Sequence, residues 1–210
     1  MKATTSLAKL TRRHWLGASV AALLGTAGAA FGRFTRRLPG VRLRPPGALP
    51  EGQFVDACVR CLKCGNACPN GCIRFHGFDA GLTQALTPYI RARERACVLC
   101  GECARVCPTS ALQPFEATRE GWLEDVKMGT AHVNTSMCYS YHGRTCGACY
   151  KACPLAGLAI RIGVFEKPLL QPEYCVGCGL CEQACLHLPQ AIRVFPGARV
   201  GLSKEHGAVS

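Results

Sequence analysis

Cys58-Val-Arg-Cys61-Leu-Lys-Cys64-Gly-Asn-Ala-Cys68-Pro69 is the stretch on which the reading of this chain turns. Its spacing, Cys-x2-Cys-x2-Cys-x3-Cys-Pro, returns residue for residue at Cys97, Cys100, Cys103 and Cys107, with Pro108 behind. A third copy is stretched at one place, Cys138-x7-Cys146-x2-Cys149-x3-Cys153-Pro154. The fourth, Cys175-x2-Cys178-x2-Cys181-x3-Cys185, has Leu186 where the others have proline, and Pro189 only later. Sixteen of the 17 cysteines fall in these motifs and Cys72 is left over.

Three thiolates at i, i+3 and i+6 wrap a compact loop around one iron-sulfur cubane, and a fourth, four residues on, leaves in another direction to ligate a neighbouring cluster. Small residues between the ligands, Gly65, Gly101, Gly147, Ala148, Gly177 and Gly179, let backbone amides approach the sulfurs. Four motifs therefore predict four [4Fe-4S] clusters on sixteen iron ligands. Two exchange schemes are open for the fourth cysteines. In the tandem scheme motif one trades with two and three with four; in the nested one, one trades with four and two with three. The tandem scheme is the expectation.

Other cysteine chemistries fit less well. A disulfide scaffold wants an even, dispersed set, whereas this one is odd and bunched. Structural zinc wants two Cys-x2-Cys pairs around one ion, which leaves the third cysteine of each motif surplus. Haem attachment needs Cys-x-x-Cys-His, which is absent. Cys185-Leu-His187 is half of a Rieske pattern with no second half, so His187 reads as a surface residue. Cys72 is expected to be a buried thiol packed beside a cluster and not a ligand, with an alternative or rescue ligand as the competing reading. The insert Tyr139-Ser-Tyr-His-Gly-Arg-Thr145 changes the surface over the third motif's cluster, as a docking loop or a solvated irregularity, and His142 within it is not read as a ligand.

The 210 residues suit one moderate domain or two small ones and exclude a large multidomain enzyme. Aromatic residues make up only 7 % of a chain that also holds 23 Gly and 13 Pro, so the apolar core is thin and the fold needs staples. The formal charge of +12 would ordinarily point to nucleic acid or an anionic membrane. Setting aside Lys2, Lys9, Arg12 and Arg13 leaves 21 bases against 13 acids, +8. Four cubanes at roughly −2 each bring that close to neutral. The bases are spread along the chain with no aromatic-interleaved face, so no nucleic-acid partner is expected.

Arg12-Arg13 precede an Ala/Gly-rich apolar run to Phe31, which resembles a twin-arginine export signal over residues 1–31. Cleavage near Ala30 is the expectation and an uncleaved anchor the alternative, since 17 residues lie at the lower limit for a span. That route carries folded, cofactor-loaded proteins and implies a periplasmic destination. Residues 32–50 form a basic, Pro-rich linker expected to run over the surface, with the folded part starting near Glu51. The fold class is α+β: two tandem ferredoxin-like two-cluster modules, loop-rich and stapled by iron-sulfur clusters, over 51–130 and 131–196, with a flexible tail at 197–210. Leu158–Ile162 and Pro168–Tyr174 read as a hairpin, and Ala131–Asn134 with Ala191–Phe195 as strands closing its sheet. Gly81–Arg95 and Thr118–Met128 read as surface helices.

The twin-arginine start, Val41-Arg-Leu-Arg-Pro-Pro-Gly-Ala48, Ala57-Cys-Val-Arg-Cys61 and above all Cys138-x7-Cys146-Gly-Ala-Cys-Tyr-Lys-Ala-Cys-Pro154 together resemble the MauM/NapG family of periplasmic ferredoxin-type proteins. Motif two is compact where some nitrate-reductase members carry a longer gap, and Cys72 is a second departure. The resemblance implies a non-enzymatic electron carrier or the iron-sulfur subunit of an oxidoreductase complex. Its electrons would come from a membrane ferredoxin-type quinol-oxidising protein and go to a periplasmic terminal reductase or cytochrome, with peripheral membrane association. The alternative is an accessory or maturation factor for a periplasmic enzyme such as the methylamine-utilisation system.

Overall fold

Motif loops interrupt this chain every few residues, so its regular elements are short. In the computed structural model, which describes residues 42–197, no helix exceeds seven residues and no strand five. The expected export signal, most of the basic linker and nearly all of the tail lie outside the described residues. The helices are α1 (Glu51–Ala57), α2 (Lys63–Asn66), α3 (Glu102–Arg105), α4 (Arg119–Asp125), α5 (Ala148–Ala152) and α6 (Leu180–Gln183). The strands are β1 (Ile73–Phe75), β2 (Pro88–Ile90), β3 (Gly129–Val133), β4 (Ile160–Ile162), β5 (Pro168–Leu170) and β6 (Ile192–Pro196). No described helix is long and apolar enough to cross a membrane.

The strands pair antiparallel as three two-stranded sheets: β1–β2 with Ile73 opposite Ile90, β4–β5 with Ile160 opposite Leu170, and β3–β6 with Ala131 opposite Val194. The β4–β5 hairpin matches the sequence reading. Strands β3 and β6 do pair with each other, but they do not close the β4–β5 sheet. Between the two sheets lie cysteine-lined spaces, one walled by Ala131 and Val194 on one side and Ile160 on the other. Ala131, Ile160 and Ile192 pack in one apolar cluster beside it, and the two sheets meet through side chains without a shared ladder.

Thr118 caps α4 by accepting a hydrogen bond from the Gly121 N–H at 3.3 Å, and the helix keeps most of its expected span. Gly81–Arg95 is not a helix. Gly81 and Leu86 take left-handed backbone angles, and Pro88 excludes the α region at Thr87 and carries no N–H. The segment turns instead, and delivers β2 to β1.

The segment expected to run over the surface is partly core. Leu43, Pro45 and Pro46 are buried, Leu43 bridges to Ile90, and Ala48 bridges to Leu112. Arg44 is only 8 % exposed. Its guanidinium donates to both Glu51 carboxylate oxygens (3.0 and 2.6 Å), to Thr87 Oγ1 (2.9 Å), to the Pro88 carbonyl (2.7 Å) and to Gln84, and it lies over the Phe54 ring. A buried charge persists only when its donors are satisfied, and here five acceptor contacts do so. Around this clamp one apolar cluster runs from Leu43 and Phe54 through Leu99 and Leu112 to Leu155 and Val176, so both halves of the chain share a core. Replacing Arg44 by Met leaves the Glu51 carboxylate with only Gln84 as partner and no cation, and strips the Pro88 carbonyl of its side-chain donor. Anaerobic urea unfolding of the loaded protein should show its midpoint lowered by the equivalent of about 3 kcal/mol.

Candidate iron-sulfur centres

Each motif folds as the same loop. A left-handed residue stands directly after the second cysteine, at Leu62, Gly101, Gly147 and Gly179, and another directly before it in three motifs, at Arg60, Leu99 and Gly177. Alternating handedness turns successive N–H groups toward the inside of the loop, the arrangement that forms anion-binding nests. Donors do reach sulfur: the Leu99 N–H to Cys97 Sγ at 3.4 Å, Ala131 to Cys175 at 3.4 Å and Leu112 to Cys107 at 3.5 Å. Leu62, Arg60 and Leu99 escaped the sequence reading because they are not glycines. Laying the four motifs on one another would have exposed them, since Leu62 holds the place of Gly101, Gly147 and Gly179. The Gly65 amide approaches the Cys64 sulfur as expected, and the missing side chain also leaves room for the Phe75 ring, which a Cβ there would meet at 2.6 Å.

The loops wall four cavities of about 290 to 380 Å³. The first is lined by Cys58, Cys61 and Cys64 together with Cys107. Cys97, Cys100 and Cys103 line the second, with Cys68 and also Cys72. Cys175, Cys178 and Cys181 line the third with Cys153, and Cys138, Cys146 and Cys149 line the fourth with Cys185. All sixteen motif cysteines are thus brought to a cavity, three from one motif and the fourth from its sequence neighbour. The remaining walls are mostly apolar: Phe54, Phe75 and Leu112 in the first, Ile73 and Ile90 in the second, Leu155 and Val176 in the third, Val133 and Ile192 in the fourth.

Electrostatics shows what such a cavity accepts. Burial pushes the Cys64 and Cys149 thiols up to about 11 and those of Cys103 and Cys178 up to about 12. Burial also raises Cys181 well above its ordinary value, and Cys97 is raised by its hydrogen bond with Cys72 and by burial. Of the four cavities only the first has a cationic side chain, Arg60, in its lining. Apart from Arg60 and from Arg119, which favours the Cys153 thiolate, the chain brings little positive charge to these thiols, and iron would supply it, with proton release on loading. Among the described residues no three or more His, Cys, Asp or Glu side chains close on a single-ion site. Thiols spread around an apolar wall suit a polynuclear cluster, in which different irons take different cysteines. The donor set, the polarity and the loop amides therefore fit a cubane.

The second and third cavities are joined through the backbone. The Cys97 N–H donates to the Cys178 carbonyl at 2.9 Å, Met128 donates to Val176 at 3.1 Å, and Gln183 Oε1 accepts from the Ala96 N–H at 3.0 Å. Cys97, Cys103, Cys178 and Cys181 are buried, whereas the cysteines of the first and fourth cavities are partly or fully exposed. Apolar side chains stand in solvent at those outer two, Val59 beside the first and Leu186 (68 %) beside the fourth.

Cys72 is buried, as expected, and its Sγ lies 3.5 Å from that of Cys68. The motif-three insert is not a free loop. Ser140 is buried, the Tyr141 hydroxyl donates to the Pro168 carbonyl at 3.3 Å, and Tyr139 packs on His187 over the fourth cavity. His187 is therefore half-buried in a cavity wall, with Nδ1 2.7 Å from the Pro189 carbonyl. His142 is exposed, with Nε2 on the Ser136 carbonyl at 2.8 Å. The junction makes a steric prediction. A Cβ on Gly177 would lie 2.4 Å from the Gly129 nitrogen, on a backbone with φ +76°, whereas Gly157, at φ +85°, faces open space. Gly157→Ala should cost about 1 kcal/mol and Gly177→Ala clearly more, about 3, in the midpoint of anaerobic unfolding.

Comparison with known proteins agrees with this chemistry. A 4Fe-4S dicluster domain matches residues 57–111 and again 96–157, and a 4Fe-4S binding domain matches 172–186. The second dicluster match spans motifs two and three, which line no common cavity here. Ferredoxin-type protein NapG of Escherichia coli (strain K12) is 38% identical over 188 residues, covering 82% of this chain and 79% of NapG. Methylamine utilization ferredoxin-type protein MauM of Methylophilus methylotrophus is 39% identical over 176 residues, 78% of this chain and 74% of MauM. Ferredoxin-type protein NapF of Escherichia coli (strain K12) is more distant, 29% identical over 163 residues, 75% of this chain and 87% of NapF. Identity at that level over most of both partners makes the chain a member of the NapG/MauM family of ferredoxin-type iron-sulfur electron-transfer proteins.

Proposed function

We propose that the chain is a periplasmic electron carrier holding four [4Fe-4S] clusters in tandem pairs, with Cys68 and Cys107 exchanged within the first pair and Cys153 and Cys185 within the second. The observation that carries this reading is the row of cavities: all motif thiols of the outer two are partly or fully exposed, whereas each inner one holds two buried motif thiols, and the inner two are hydrogen-bonded to each other through Cys97 and Cys178. Each cluster, when bound, takes up and gives back one electron, so such a row conducts between its ends. The chain's own residues insulate and orient. Leu99, Leu155 and Val176 exclude water around the inner thiols, and the loop amides that reach sulfur set how readily negative charge is held. Exposed Val59 at one end and Leu186 at the other offer apolar contact to separate partners.

Electrons enter, in this reading, from a membrane ferredoxin-type quinol-oxidising protein and leave to a periplasmic redox enzyme of the nitrate-reductase kind. Arg12 and Arg13 direct twin-arginine export of the loaded chain. The likeness to MauM supplies the second reading, an accessory or maturation factor for a methylamine-utilising enzyme. A carrier, once reduced, is reoxidised by its terminal enzyme over many cycles, whereas a maturation factor is needed only while that enzyme is being assembled.

Anaerobically purified protein should contain about 16 iron and 16 acid-labile sulfide atoms per chain, and Cys103→Ala should lower both by about a quarter. Iron at two atoms per chain, or zinc in its place, would end the cluster reading. Substituting both Arg12 and Arg13 by Lys should leave cluster-bearing precursor in the cytoplasm, measured by fractionation. Normal export of that variant would overturn the targeting half of the proposal.

A further inference from the structure

Five thiols, not four, face the second cavity. Cys68 and Cys72 both line it, with their sulfurs 3.5 Å apart, and Cys72 is only 3 % exposed. The short turn between them explains the proximity. Gly71 takes φ +57° and returns its N–H to the Cys68 carbonyl at 3.0 Å, so residues four apart come back to the same wall. The next residue, Ile73, is held in β1 opposite Ile90, which fixes the backbone beside Cys72. The first, third and fourth cavities have no such spare: Cys107, Cys153 and Cys185 are each the one fourth-position thiol in their lining.

We propose that Cys68 and Cys72 are interchangeable fourth ligands of the cluster in the second cavity, a proposal that rests on the four-cluster reading above. With the sulfurs this close, side-chain rotation brings either one to the same iron without unpicking β1. The exchange breaks one iron–sulfur bond and forms another, and one proton passes from the incoming Cys72 thiol to the released Cys68. No oxidant or reductant is consumed. The device sits where the row is most vulnerable, at an inner cavity whose loss would separate the first cavity from the third and fourth.

The test compares iron and sulfide content, and the oxidised-state EPR spectrum, across variants of the full chain purified anaerobically. Cys107→Ala is the internal control: lacking a spare thiol, its cavity should lose a cluster or convert it to a three-iron form, with up to about a quarter of the iron gone. Cys68→Ala should instead keep the wild-type iron content, as should Cys72→Ala, and the double variant should fall to the level of Cys107→Ala. Cys68→Ala depleted like Cys107→Ala overturns the proposal, and so does insoluble Cys68→Ala beside soluble Cys107→Ala. Iron loss in Cys72→Ala with retention in Cys68→Ala also overturns it, because Cys72 would then be the sole ligand. An insoluble double variant beside two soluble, fully loaded singles counts in its favour. A wild-type chain without clusters defeats the four-cluster reading and this inference with it, whereas loaded wild type with depleted Cys68→Ala defeats the inference alone.

Discussion

A buried thiolate without a cation is the interaction on which this structure turns. The chain carries thiols into cavities walled by leucine, isoleucine and valine, where desolvation drives them toward the neutral form. Little else in those walls offsets a negative charge. Metal binding reverses the balance, because it supplies the cation and releases the protons, so the free energy of binding becomes free energy of folding. That coupling explains how a sequence with so few aromatic residues, and so many glycines and prolines, sustains a fold whose longest described helix has seven residues.

The second constraint is backbone handedness. Three thiolates converge only if the loop between them reverses curvature, and every motif does this with a left-handed residue after its second cysteine. Glycine takes that conformation without cost at three of the four, whereas Leu62 accepts strain of about 1 to 2 kcal/mol. Glycine also sets how closely the halves approach. Gly177 meets the backbone of Gly129 in β3, and Gly179 meets Ala92 just ahead of motif two, so the motif-four loop packs directly on both segments.

Much of the site is local in sequence and was legible there. The motif thiols, the β4–β5 hairpin and helix α4 follow from spacing, alternation and a threonine cap. Misreadings cluster where distant groups decide. Gly81–Arg95 has helical composition, but Thr87 and Pro88 are claimed by the Arg44 side chain from over forty residues away. Arg44 itself stands in a basic, proline-rich run that any composition argument sends to the surface. It is buried because Glu51, Thr87 and Gln84 converge on it, and no single stretch of sequence displays that convergence.

By itself the sequence determined the chemistry: which three cysteines share each loop, that the fourth departs, and that one thiol is left over. These depend on positions within a dozen residues of each other, where the geometry of a short chain leaves little choice. The tertiary structure decided which cavity each departing cysteine reaches, which of the thiols are buried, and that Cys72 faces the same space as Cys68. Those outcomes rest on packing between residues dozens of positions apart, such as Cys97 against Cys178 and Gly177 against Gly129, and a spacing pattern carries no record of such contacts.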